Sequence, residues 1–475
     1  MKLQDLLKNV QAHGVAENVE ISGITADSRK VKAGNLFIAL EGGAYDGHDF
    51  VKQAFQKGAA AAVTSKKTEE STISVRDTRE AYAAICSNYY KNPEKKLKLI
   101  AVVGTNGKTT TAHIIKHILN CGGIKTASIG TLGFRIGEEV KDCGLTTPDP
   151  DVLYKSLAEA VQQDVKVVVM EVSAHAIYFK KVSGLRFDIG IFTNISQDHL
   201  DFFGDVGRYA DVKKSFFNKS NVKFAVINTD DDIGRVIFEN TSSLKASYGI
   251  KQPSDVFAID IEQDTHGSKF VVNAFDIICE IDLPLPGIYN IYNTLAAISA
   301  ALSLKVPIGE IKRAITGLQP PEGRFNVINA DKMVIIDYAH TPDGLENLLR
   351  AAQMFKKNRI ITVFGCGGNR DKAKRPIMGA IAQKYSDLVI LTSDNPRFEE
   401  PEDIISDIAA GMKKDGYVCE QDRSLAIKLA ITLANKEDII VIAGKGGEDY
   451  LDIKGKKIPY SDIEEVKKHL EVKCE

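Results

Sequence analysis

The residues Gly104-Thr105-Asn106-Gly107-Lys108-Thr109 bring together what a bound triphosphate needs. Glycines let backbone N–H groups turn inward, a helix N-terminus offers its positive dipole end, a lysine adds a point charge, and a threonine hydroxyl can face Mg²⁺. The spacing is shorter than the usual P-loop, because the glycine expected five residues before Gly107 is Val102, and a plain helix-opening turn shares this pattern. Two polar clusters, Glu171-Val172-Ser173-Ala174-His175 and Asn194-Ile195-Ser196-Gln197-Asp198-His199-Leu200-Asp201, each follow an apolar run. Glu171 and His199 are residue types that bind hard or borderline cations, and they share a phosphate loop if their strands are neighbours.

These residues need strands and helices behind them. Leu97 to Val103 reads as a buried strand, and Ile114, Ile115 and Ile118 give the following helix its apolar face. Apolar runs at 165–170, 189–192 and 224–227 alternate with helical segments, the βαβ pattern of a mostly parallel sheet whose carboxyl ends hold ligands. The same alternation returns at 333–337, 359–364, 388–392 and 438–443, predicting a second open sheet. Its strand ends carry Asp337-Tyr338-Ala339-His340-Thr341-Pro342, Gly365-Cys366-Gly367-Gly368-Asn369-Arg370-Asp371, Asp394-Asn395-Pro396-Arg397 and Gly444-Lys445-Gly446-Gly447-Glu448. The glycine spacing after residue 364 does not fit a dinucleotide loop. Residues 1–95 mix short strands (19–25, 35–40) with helices (50–57, 79–90), and polar loops at 25–29 and 42–50 suit either a ligand or a capped turn.

At 475 residues the chain exceeds one ordinary core, and we expect three α/β domains, 1–95, 96–322 and 323–475, with Asn92-Pro93-Glu94-Lys95-Lys96 as the first linker. A net charge of −2 provides no global field for nucleic acid. Seven scattered cysteines without a Cys-x-x-Cys pair argue against a disulfide framework or zinc site and suggest reduced thiols in cytoplasm. Without an apolar N-terminal segment or an 18-residue apolar run, no membrane insertion is expected.

Six motifs in order, Gly104 to Thr111, Glu171-Val172-Ser173-x-His175, Asn194 to Asp201, Gly287-x-x-Asn290-x-x-Asn293, Gly323-Arg324 and Asp337 to Pro342, resemble the Mur ligase family along nearly the whole chain. Thr25-x-Asp27-Ser28-Arg29 with Leu36-Phe37-x-Ala39-Leu40 is similar to that family's nucleotide-sugar domain, and Gly365 to Lys372 resembles its MurE branch. The resemblance implies three domains: a small α/β nucleotide-sugar domain, a central P-loop-type mostly parallel sheet, and a Rossmann-like C-terminal domain. It further implies an ADP-forming, ATP-dependent amide ligase of peptidoglycan synthesis, and with it a place in cell shape and division. The γ-phosphate of ATP would pass to a carboxylate of UDP-MurNAc-L-Ala-D-Glu, and an amine would displace phosphate from the acyl phosphate. Such chemistry asks for fixed positive charge more than for covalent help.

Residue by residue, the resemblance gives Lys108, Lys213, His199 and Glu171 catalytic roles. Thr109, Glu171, His199 and Lys213 would face two Mg²⁺ ions, and Lys213 would carry a CO₂-derived carbamate, although alone it reads as a solvated helix lysine. Gly104, Thr105, Asn106, Gly107, Lys108, Thr109, Thr110, Asn290, Asn293, Arg324, Asp337 and His340 would hold ATP. Ser28, His48, Thr146, Thr147, Ser173 and Lys181 would hold the UDP-muramoyl peptide. Arg370, Asp394, Asn395, Arg397, Gly444 and Glu448 would hold the amine. An arginine fork binds the distal carboxylate of meso-diaminopimelate and has no partner on the distal ammonium of lysine, so Arg397 favours diaminopimelate.

Four positions depart from the family pattern: Ala174 for serine, Phe203 and Gly447 for histidine, and Lys181 for arginine. They leave room for a related nucleotide-peptide substrate. The alternatives are a lysine-adding or folylpolyglutamate-type ligase and a catalytically silent nucleotide-sugar binder. We expect a cytoplasmic monomer.

Overall fold

A computed structural model describes residues 1–14, 19–42, 45–68, 72–413 and 416–470. Gly43 and Ala44 of the 42–50 loop, and Cys474, lie outside them. The backbone is organised by three sheets. A five-stranded sheet, ordered Ala12–His13, Ile73–Val75, Ala61–Thr64, Asn35–Ile38, Gly23–Thr25, occupies the N-terminal part. A six-stranded sheet, ordered Asn326–Asn329, Met333–Asp337, Ile439–Ala443, Ile360–Phe364, Leu388–Leu391, Tyr417–Cys419, occupies the C-terminal part and is parallel except at its first strand.

Between them an eleven-stranded sheet has a parallel centre with antiparallel flanks. Within it, Lys98–Val103 lies between Phe187–Phe192 on one side and Val167–Glu171 on the other. These two strands are therefore not neighbours of each other: each borders the strand that feeds the phosphate loop, which places both of their ends beside that loop. Strands enclosed on both faces must be apolar throughout, which is why Leu99 to Val103 and Val167 to Met170 read as unbroken hydrophobic runs. The flanking hairpins differ. Along Gly267–Ala274 burial alternates, one face packing toward the helix Ile288–Ser303 while the other meets solvent, as period-2 strands at a sheet flank do.

One apolar cluster runs without a break from Leu3, Leu36 and Val63 of the N-terminal sheet to Leu99, Met170 and Phe192 of the central one. The C-terminal sheet has its own clusters on its two faces. Among the described residues no helix is long and apolar enough to cross a membrane, and the six described cysteines are unpaired.

Strand ends of the C-terminal sheet are held by a buried ion pair. Arg423 Nε and Nη2 donate to the two oxygens of Asp462 at 2.7 and 2.8 Å. The same guanidinium donates to the carbonyls of Ala443 and Ser393, the residues before Gly444 and Asp394. Removing one partner of a buried pair leaves a charge without compensation, so Asp462→Asn should cost about 3 kcal/mol in urea unfolding, while the double change Arg423→Met with Asp462→Leu should recover much of it.

Candidate active site at the meeting of two sheets

A cavity of about 750 Å³ opens where the carboxyl ends of the central and C-terminal sheets face each other. The phosphate loop forms one wall. At Gly104, φ is +156°, and a Cβ would lie 1.8 Å from the Thr193 hydroxyl; at Gly107, φ is +84°, and a Cβ would meet Asn293 Oδ1 at 2.3 Å. Glycine is needed at Gly107 for its left-handed backbone and at both for close approach. The helix Lys108–Cys121 starts there with its N–H groups toward the cavity. Lys108 Nζ curls back to donate to the carbonyls of Gly104 and Thr105 at 3.0 and 2.8 Å. Burial lowers its pKa, against the pull of Glu171 and Asp198.

Thr109 and Glu171 form an oxygen pair beside the lysine. Thr109 Oγ1 donates to Glu171 Oε2 at 2.9 Å, and Arg324 Nη2 donates to Thr109 Oγ1 at 3.1 Å. Glu171 also accepts from the Thr131 backbone and hydroxyl, so its carboxylate is fixed in direction. Behind it, Thr147 donates to the Glu171 carbonyl and accepts from Ser173 N–H.

The strand Phe187–Phe192 leads into Asp198 and His199. His199 adopts φ +56°, an uncommon conformation for a non-glycine residue, and its Nε2 lies 3.3 Å from Asp198 Oδ2. Burial pushes the His199 pKa down to about 3, so the imidazole is neutral at neutral pH. Asp198 is buried at 5 % exposure. Desolvation opposes its charge, but Lys374, His199, His340 and Lys108 outweigh that cost and hold its carboxyl well below the usual range. Lys374 Nζ approaches it to 3.5 Å from the C-terminal sheet, and His340 Nε2 to 4.0 Å.

Lys213 is fully buried, and Nζ donates to Tyr209 OH at 2.7 Å and Thr105 Oγ1 at 2.9 Å. Burial, with Lys108 nearby, lowers its pKa well below that of a free lysine. The solvated lysine suggested by sequence alone is replaced by a desolvated amine that, among the described residues, has no carboxylate in hydrogen-bond contact.

On the opposite wall, Arg324 stacks over the Tyr338 ring at 4.2 Å. Asp337 accepts the backbone N–H groups of Phe325 and Ala339, each at 2.7 Å; burial raises its pKa, with Arg324 opposing. Asn290 and Asn293 share one face of Ile288–Ser303 and bond each other at 3.3 Å. Deeper in the C-terminal sheet, Asn395 Nδ2 donates to Glu448 Oε2 at 2.8 Å, and buried Lys445 donates to both Asn395 and Glu448. Arg397, at φ +52°, donates to Gly368 O at 2.7 Å and lies 3.7 Å from Asp452, whose strand is bridged to it. Arg370 and Asp394 line the same space.

Ser28, His48, Gly104, Thr147, Lys181 and Lys213 do not line the cavity, whereas Thr146 and Ser173 do. His48 has both ring nitrogens engaged within its own sheet, by Asp46 and by Ser65 N–H. Lys181 pairs with Asp149 at 2.8 Å. Gly447 lies against Glu322 and Gly323, where a Cβ would come 3.0 Å from the Glu322 carbonyl, so a histidine there would be crowded. Lys374 and Lys445 are not among the residues that type and spacing single out: Lys374 lies just past the Gly365 to Lys372 motif, and Lys445 lies inside the Gly444 to Glu448 cluster, of which only Gly444 and Glu448 are assigned to the amine. Asp230 is likewise not among them: it accepts the N–H groups of Ile250, Lys251 and Gln252 and the Tyr292 hydroxyl, shaping the loop beside Tyr248 that also lines the cavity.

Comparison with known proteins gives three matches in order along the chain: the Mur ligase family catalytic domain over residues 20–102, the Mur ligase middle domain over 102–301, and the Mur ligase glutamate ligase domain over 323–446. The chain is 40% identical over 474 residues to UDP-N-acetylmuramoyl-L-alanyl-D-glutamate–2,6-diaminopimelate ligase 1 of Clostridium acetobutylicum, covering 98% of each. The chain belongs to the Mur ligase family. A second relative within it, the ligase of the same description from Clostridium tetani, is 42% identical with 99% of each chain covered. Among solved Mur ligase structures, one titled UDP-N-acetylmuramoyl-L-alanyl-D-glutamate–2,6-diaminopimelate ligase superposes with a TM-score of 0.69 at 30% identity, covering 99% of each chain.

The Asp198 cluster generates a pH prediction. A carboxyl whose pKa is lowered by folding contributes stability that is complete above its unfolded pKa, near 4, and is lost as the pH falls. Asp198→Asn should cost about 3 kcal/mol at pH 7 by leaving Lys374 buried and unpaired, and should flatten the loss of stability below pH 4; urea titrations at several pH values measure both.

Proposed function

We propose that this chain is an ATP-dependent ligase that joins meso-diaminopimelate to UDP-MurNAc-L-Ala-D-Glu, releasing ADP and phosphate, in the cytoplasmic phase of peptidoglycan synthesis. The observation that carries the reading is one cavity lined both by the phosphate loop and by Arg370, Asp394, Asn395, Arg397 and Glu448. One continuous space thus offers a carboxylate-activating apparatus and a pocket suited to an amine with a second charged end. The full-length identity to diaminopimelate ligases points the same way.

In this reading residues 96–322 bind ATP, residues 1–95 bind the nucleotide sugar, and residues 323–475 bind the amine. The loop N–H groups and Lys108 hold the β- and γ-phosphates, with Arg324 opposite them and Asn290 and Asn293 bracing the loop. Among the described residues no cage of three or more His, Cys, Asp or Glu gathers. Mg²⁺ does not require one: it keeps waters and takes one or two protein oxygens plus phosphates. The oxygen pair of Thr109 and Glu171 fits that demand, and neutral His199 offers a ring nitrogen for a second ion. Bound there, Mg²⁺ would neutralise charge building on the transferring phosphoryl group. Lys213, desolvated and held by two hydroxyls, is the form of lysine that reacts with carbon dioxide.

The acyl phosphate formed on the substrate's carboxylate is then met by the amine. Arg397 and Arg370 receive the distal carboxylate, and Glu448, held by Asn395 and Lys445, receives the distal ammonium. Its Lys445 contact limits the negative charge that Glu448 offers, so a ligand bearing a carboxylate as well as an ammonium suits this pocket better than lysine does.

Phosphate release from ATP in the presence of UDP-MurNAc-L-Ala-D-Glu should be fastest with meso-diaminopimelate, at least tenfold slower with L-lysine, and near background without amine. Equal turnover with lysine would refute the specificity. Arg397→Ala should raise the diaminopimelate KM by about 100-fold, the worth of a lost bidentate charged contact, and leave the KM values for ATP and nucleotide sugar within about threefold.

A further inference from the structure

Two of the four departures from the family pattern meet at one side chain. Ala174 and Phe203 pack with Tyr209 in a small separate apolar cluster, edged by Ile195 and Val212. The Phe203 and Tyr209 rings lie 5.4 Å apart at 44°. Tyr209 belongs to the helix Val206–Phe216, one turn before Lys213, so the two side chains share a face. The ring lies under Lys213 with Nζ 3.9 Å from its centroid, and the hydroxyl lies 2.7 Å from the same nitrogen. Its other hydroxyl neighbour is Thr105 of the phosphate loop, at 3.3 Å. The buried amine thus faces two O–H groups that are themselves in contact, one on the helix and one on the loop.

We propose that Tyr209 is a positioning residue for a carbamate on Lys213, its hydroxyl and that of Thr105 being the donors that receive the carbamate oxygens, and that Phe203 and Ala174 fix the ring that aims the phenol. This rests on the carbamate reading given above. In forming the group, the Nζ lone pair makes the new N–C bond to carbon dioxide, one C=O π pair moves onto oxygen, and a proton leaves Nζ for solvent. Amine and carbon dioxide become carbamate and H⁺. The new group is anionic and buried, and a buried anion persists only where donors reach it. Two hydroxyls supply that here without introducing a competing positive charge. Rotation about χ1 carries a phenol oxygen sideways, and packing against the ring limits that movement to what the wall allows. Phe203 and Ala174 supply the wall by van der Waals contact alone, since neither offers a hydrogen-bonding side chain.

The test uses the full chain equilibrated with ¹³C-labelled bicarbonate, reading the carbamate carbon by NMR across a bicarbonate titration, with Lys213→Ala as the blank. We expect a wild-type signal absent from the blank, and in Tyr209→Phe a bicarbonate midpoint raised about tenfold or more, as for loss of one hydrogen bond to a charged group. The kcat of Tyr209→Phe should fall with carbamate occupancy and return at saturating bicarbonate, with the KM for ATP moving less. Phe203→Leu, which keeps the apolar wall but removes the ring contact, should shift the midpoint in the same direction by a smaller factor and guards against a folding defect in the first variant. An unchanged midpoint in both folded variants overturns the positioning role while leaving the carbamate intact. A wild-type spectrum without any Lys213-dependent signal overturns the carbamate reading and this inference with it.

Discussion

A site that gathers Lys108, Lys374, Arg324 and two imidazoles in a partly dry space must contain negative charge of its own, or the cations would repel and desolvate at prohibitive cost. Asp198 meets that requirement from a single buried position. It lies in the loop that follows a central strand, yet Lys374 and His340 reach it from the C-terminal part of the chain. The carboxylate therefore does more than balance charge: it makes the facing of the two sheets a favourable arrangement. Asn106 with Asp343, Gln197 with Asp371 and Arg324 with Thr109 extend the same polar seam.

The order of the central strands explains why the chemistry converges. With Lys98–Val103 in the middle, the strands ending at Glu171 and at Phe192 deliver their loops to opposite sides of one phosphate loop. Glu171, His199 and the Gly104–Thr109 loop are neighbours because three adjacent strands end at one level. On the far wall, a hairpin of Tyr450–Ile453 and Lys456–Pro459 bonds back to Arg397 and Asn395. That contact holds Arg397 in a left-handed backbone that an unrestrained arginine would rarely keep.

Much of this was legible in the residues. Fully enclosed parallel strands leave continuous apolar runs, and strand ends rich in Asp, Asn, His and Gly mark where such a sheet binds ligands. The antiparallel hairpins of residues 256–283 were less visible, since half-exposed strands mix polar and apolar residues. The environment of individual side chains was least legible. His48 looks like a ligand until Asp46 and Ser65 are seen around its ring, and Lys213 looks solvated until Tyr209 and Thr105 enclose it. Those partners are set by tertiary packing, which no local spacing encodes. Lys374 is the clearest case, a buried cation just past the Gly365 to Lys372 motif.

The two joins between sheets differ in kind. The N-terminal and central sheets share one continuous apolar cluster, while the central and C-terminal sheets meet chiefly through hydrogen bonds and ion pairs. Apolar surface resists exposure whatever ligand is present, whereas polar contacts exchange with water at small net cost. Stiffness is therefore concentrated between the N-terminal and central sheets and compliance between the central and C-terminal ones, so that the join along which the cavity lies is the join most easily opened.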